Sequence, residues 1–95
     1  MQTPKKIDEE MLNSLYDMFL ELKSREDCKN LFDDLFTLKE VEQLAQRVKS
    51  AQLLLDGKTY NQVMEITDIS SATLSRVSRC VQYGSGYSVF LKKSK

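Results

Sequence analysis

Arg76 and Arg79 stand three residues apart on a stretch that also carries Ser70, Ser71, Ala72, Thr73 and Ser75. A guanidinium presents a fork of donors that fits a phosphate or the edge of a guanine. Serine and threonine hydroxyls bond bases or phosphates, and an alanine or threonine methyl can meet the methyl of thymine. Thr59 and Tyr60 lie a short way upstream, where they could contact the same backbone. Other reactive side chains are sparse. The chain has no histidine, which removes the usual general base, the commonest metal ligand and every Ser-His or Cys-His nucleophile. Cys28 and Cys80 are far apart, without a C-x-x-C pair or neighbouring soft ligands, so they read as reduced, partly or wholly buried thiols and no metal site is expected. Adjacent Asp33 and Asp34 point 100° apart on a helix and form no acid/base pair. An enzyme is not expected.

The elements that must position these residues are helical. Only three glycines and one proline occur in 95 residues, and no Gly/Ser or Pro-rich linker divides the chain, so a single all-α domain of about six helices over 1–95 is expected. Ile7, Met11, Leu15, Met18 or Phe19, and Leu22 predict a first helix over 7–23, with Asp8, Glu9 and Glu10 at its N-terminal turn. Ser24 and Asp27 resemble a capping box for a second helix over 25–35, on which Cys28, Leu31, Phe32 and Leu35 form the apolar face. Thr37-Leu38-Lys39-Glu40 is a fuller box and opens a third helix, whose stripe of Leu38, Val41, Leu44 or Ala45, Val48, Ala51 and Leu55 ends at Asp56-Gly57.

Thr59-Tyr60-Asn61-Gln62 is another box, beginning a short helix over 60–66 in which Val63 and Ile66 face inward. After a turn at Thr67-Asp68-Ile69, Ser70 caps a helix over 71–82 with Leu74, Val77 and Val81 on its buried side and Ala72, Arg76 and Arg79 opposite. Two helices joined so closely form a helix-turn-helix pattern, the second of which would enter a DNA major groove. Gly84-Ser85-Gly86 ends that helix, and 87–95 is a short helix or a loose tail. Residues 1–57 are expected to make the core and dimer contacts, 59–82 the helix-turn-helix, and 84–95 a C-terminal segment.

The 14 basic and 14 acidic side chains cancel, so bulk charge nominates no partner. Their distribution does: residues 1–44 carry 6 basic and 11 acidic groups, residues 45–95 carry 8 and 3, and no acidic side chain follows Asp68. An isolated arginine pair would read as a solvated helix face. Combined with the short turn and the acid-free C-terminal third, it reads as a DNA-reading surface.

The run Asp68-Ile69-Ser70-Ser71-Ala72-Thr73-Leu74-Ser75-Arg76 resembles the Gly-Val-Ser-x-x-Thr-Val-Ser-Arg string of many bacterial helix-turn-helix regulators, with Asp68 in place of the turn glycine. More widely, the stretch from Phe36 through Leu44-Ala45-Gln46-Arg47 to Asp56-Gly57, with Thr59-Tyr60-Asn61-Gln62 and Ser71-Ala72-Thr73-Leu74-Ser75-Arg76, resembles the Trp repressor family. Asp33-Asp34-Leu35 and Arg79-Cys80-Val81-Gln82-Tyr83-Gly84-Ser85-Gly86 look like its YerC/YecD subgroup.

The resemblance implies an intertwined homodimer acting as a transcriptional regulator on double-stranded DNA, and the lack of any apolar run approaching the ~18 residues of a membrane span leads us to expect a cytoplasmic protein. The apolar Met11, Leu12, Leu15, Met18, Phe19, Leu20, Phe32 and Phe36 agree, since short helices cannot cover so much apolar surface alone. It also implies a ligand region at Arg47, Arg76, Val77 and Cys80. The two arginines match those that sandwich tryptophan in Trp repressor, but Val77 replaces a glycine beside the indole and Cys80 a serine that helps hold the amine. No cofactor is therefore expected, tryptophan included, and no membrane partner; the small-molecule effector, if there is one, is unknown. The alternative is a helical protein-interaction module that has lost DNA binding.

Overall fold

The computed structural model describes residues 8–91. They form six helices and no strand, and fall into two compact units that divide between Leu35 and Phe36.

The first unit holds α1 (Glu9–Leu20) and α2 (Arg25–Leu35). Asp8 caps α1 by accepting from the Glu10 amide at 2.9 Å. The helix stops three residues short of the expected Lys23, and the competing bonds explain why. Glu21 and Leu22 donate to Met18 and Phe19 in a tightened last turn, while the Lys23 amide is taken by the Asp27 carboxylate at 2.9 Å. Ser24 Oγ accepts from the Asp27 amide at 3.0 Å, which is the forward half of the expected box, while the Asp27 carboxylate reaches past Ser24 to the Lys23 amide; α2 has the predicted limits. Ile7, expected inside α1, lies outside the described residues. The rings of Phe19 and Phe32 meet at a centroid distance of 5.9 Å. Asp33 lies 3.7 Å from Lys29 in a solvent-exposed pair of little energetic weight. Neither helix contains a buried residue; Met11 is 64% exposed and Leu20 78%.

The second unit is built on α3 (Leu38–Leu55), against which α4 (Tyr60–Thr67), α5 (Ser71–Tyr83) and the single turn α6 (Tyr87–Phe90) pack. Reciprocal bonds between Thr37 and Glu40, 2.9 and 3.1 Å, start α3. Its end is a Schellman turn, with Lys58 donating to the Leu53 carbonyl and Gly57 to that of Leu54. Gly57 adopts φ +92°, which a side chain would oppose.

The core joins Ala51, Leu53, Val63, Ile69, Leu74 and Val77, with Leu54, Met64, Val81, Tyr87 and Leu91 at its edge. Three expected inward positions are exposed. Leu38 occupies the first helical turn of α3 and faces solvent, Val48 lies on a flank, and Ile66 is exposed while Ile69, after the turn, belongs to the core with Val63. Gly84 follows α5, its amide donating to the Cys80 carbonyl at 2.8 Å. A Cβ at Gly84 would come within 2.7 Å of that oxygen. The tail begins as a helix, and its residues 92–95 lie outside the described residues. No helix among the described residues is long and apolar enough to cross a membrane.

Candidate nucleic-acid interface

The two sides of α5 differ as the 3.6-residue period requires. Leu74, Val77 and Ser78 are buried against the core, whereas Ser71, Ala72, Ser75, Arg76 and Arg79 are exposed. A helix so placed offers short polar side chains near its N-terminus and two guanidinium groups further along the same outer face.

Ser70 caps α5: its Oγ accepts from the Thr73 amide at 3.2 Å and donates to Thr73 Oγ1 at 3.0 Å. Both hydroxyls are therefore engaged within the cap, and Thr73 is half-buried, which makes these two the least available of the predicted contact residues. At α4, Thr59 and Gln62 form a reciprocal box with bonds of 2.9 and 3.2 Å, and Tyr60 beside it is 44% exposed.

The connection between α4 and α5 is three residues long. Asp68 adopts the left-handed conformation, φ 64° and ψ 21°, taking the place of the glycine common in such turns. Thr67, just before it, is the residue whose importance the sequence does not announce. Its hydroxyl donates to the Val63 carbonyl at 2.8 Å and accepts from Ser50 Oγ at 3.2 Å and from the Ile69 amide at 3.3 Å. Its carbonyl accepts from Gln46 Nε2 at 3.2 Å. Ser50 is fully buried, yet it lies roughly opposite the expected stripe of Val41, Val48 and Leu55, so nothing in the sequence spacing marked it.

Residues 10–95 match the family model described as Trp repressor protein. The chain belongs to the Trp repressor family. It is 42% identical over 85 residues to the uncharacterized protein YerC of Bacillus subtilis (strain 168), covering 88% of this chain and 82% of that one. A crystal structure of a candidate Trp repressor from Staphylococcus aureus superposes with a TM-score of 0.81 at 38% identity, covering 85% of this chain and 82% of the other. A TrpR-like protein from Eubacterium eligens gives 0.79 at 35% identity, covering 83% and 82%.

Arg47, Arg76, Val77 and Cys80 are the four positions at which the sequence resemblance implies a ligand region. Val77 is only 2% exposed and belongs to the core. Arg76 lies on the outer face of α5, and Arg47 is half-buried, with its Nε shielded from solvent and without a hydrogen-bond partner. Cys80, expected to be buried at least in part, is exposed, because it sits 120° around α5 from Leu74; Cys28 is half-buried as expected. An apolar cavity of about 510 Å³ opens between α3, the end of α5 and α6, lined by Val48, Cys80, Gly84, Tyr87, Phe90 and Leu91 among others. Of these four positions only Cys80 borders it.

Proposed function

We propose that this chain is a sequence-specific DNA-binding transcriptional regulator, a repressor acting as a cytoplasmic homodimer, with α5 as the helix that reads the major groove. The observation that carries this reading is the two-sided α5: Leu74, Val77 and Ser78 held in the core while Ser71, Ala72, Ser75, Arg76 and Arg79 face outward. Ala72 and Ser75 let the helix approach base edges, Arg76 and Arg79 meet guanine or phosphate, and the amides at Ser70 and Ser71 together with Thr59, Tyr60 and Thr73 bracket the DNA backbone. The exposed apolar residues of α1, Met11, Leu15, Met18 and Leu20 among them, support a dimer in which a second copy covers them. The family's regulators act on DNA without catalysis, and the chain is read here as a regulator and not an enzyme.

Tryptophan is not the corepressor in this proposal. A buried valine occupies the position where an indole would need space, and a thiol is a poor acceptor for an ammonium group. The unpartnered Arg47 Nε favours a bound group, and the same experiment tests it.

Purified protein would be used to select from random duplexes, and affinity then measured across salt concentrations with and without tryptophan. Enrichment of a twofold-symmetric site, binding that weakens steeply with salt, and no response to tryptophan are expected. Absence of any enriched sequence would refute the proposal. Zero net charge favours the second reading, a protein-interaction module, which would then stand.

A further inference from the structure

The two helices of the helix-turn-helix pack more extensively on α3 than on each other. The angle at which α5 is presented is therefore set by how the turn is fastened to α3. Apolar contacts at Val63, Ile69 and Leu74 supply most of the adhesion, but the hydrophobic effect itself is non-directional, whereas hydrogen bonds have direction.

We infer that Thr67 is a positioning residue, whose hydroxyl and carbonyl lock the turn to α3 through Ser50 and Gln46 and so fix the orientation of α5 for DNA reading; this rests on the function proposed above. A threonine hydroxyl has one proton and two lone pairs. Here all three are used, the proton toward the Val63 carbonyl and the lone pairs by Ser50 Oγ and the Ile69 amide. One oxygen thus joins the end of α4, the turn and the middle of α3. The Gln46 amide adds a second bond to α3, on the Thr67 carbonyl. Asp68 follows immediately in the left-handed region, a conformation that side-chain-bearing residues keep only when their surroundings hold it.

Three variants separate positioning from bulk stability. Thr67→Val keeps the shape and removes the hydroxyl. Thr67→Ser restores the hydroxyl. Ser50→Ala cuts the bond to α3 without stranding a donor, so it folds even if Thr67→Val does not. The readouts are amide exchange at Ile69 and affinity for the wild-type selected duplex against a scrambled one.

In Thr67→Val we expect the Ile69 amide to exchange about tenfold faster and the preference for the selected duplex to fall about tenfold, the order set by losing one or two part-buried hydrogen bonds. Affinity for scrambled DNA, which depends on phosphate contacts, should stay within twofold. Ser50→Ala should lower the preference in the same direction, and Thr67→Ser should behave as wild type. Wild-type preference in both Thr67→Val and Ser50→Ala would overturn the inference while leaving DNA reading intact. A wild-type protein that prefers no duplex would instead remove the reading on which it rests, and the inference with it.

Discussion

Val77 tests whether α5 is held by the protein itself or by a ligand. Its side chain is 2% exposed among the core residues, so Val77→Gly removes three buried carbons, worth about 2.4 kcal/mol at ~0.8 kcal/mol each, and adds about 1 kcal/mol for glycine inside a helix. A loss of about 3 kcal/mol is a large part of the roughly 5–14 kcal/mol that a chain of this length commands. Urea titration followed by circular dichroism would measure it, with Val77→Ala, at about 2 kcal/mol, as the helix-friendly control. In an open cleft the burial part would vanish and only the roughly 1 kcal/mol for glycine inside a helix would remain. The companion measurement is thermal unfolding of the wild type with tryptophan. A ligand at one hundred times its Kd would add about 2.7 kcal/mol, on the order of 10 °C in Tm for a domain of this size. No shift is expected. A cheap Val77→Gly together with a tryptophan-induced rise in Tm would refute the idea that Val77 belongs to the core and excludes the corepressor.

Arg79→Ala should weaken DNA binding and reduce the slope of log affinity against log salt by about 1 if the guanidinium meets a phosphate; a loss confined to particular sequences with an unchanged slope would assign it to a base instead. Asp68→Gly should raise stability by about 0.5–1 kcal/mol, since it relieves a left-handed residue and removes a carboxylate from the C-terminus of α4. Asp68→Asn, which keeps the backbone preference and drops only the charge, should recover a smaller part in the same melting experiment. Gly84→Ala should cost about 1–3 kcal/mol, because its Cβ would meet a backbone oxygen at 2.7 Å and no flexible side chain can yield; unchanged melting would show that the end of α5 adjusts freely.

Much of the architecture was legible because capping chemistry is local. Thr37 with Glu40, Thr59 with Gln62, Ser70 and Gly57 each declare a boundary within four residues, and the helices begin or end there. The buried side of α5 was equally plain from Leu74 and Val77. What escaped was set by tertiary neighbours. Ile66 has the right period to be buried, yet it is exposed while Ile69, beyond the helix end, is in the core. Lys23 has a helical pattern behind it, but its amide finds Asp27 first. Thr67 reaches partners 17 and 21 residues away in sequence, and no spacing rule connects a turn threonine to a serine and a glutamine in an earlier helix. Among the candidate contact residues, outward placement of Ala72, Ser75, Arg76 and Arg79 followed from periodicity, whereas the engagement of Thr73 by Ser70 did not.

The unequal burial of the two units implies a hierarchy of local opening. In α3, α4 and α5 the amides sit over side chains removed from water, so their exchange with solvent should require cooperative opening of that whole group, whereas α1 and α2, without a buried side chain of their own, should fray at far smaller energies. A protease added to protein dilute enough to be monomeric would accordingly cut first in the residues before Phe36 and leave the unit of α3 to α6, with its outward-facing arginines, as the resistant fragment.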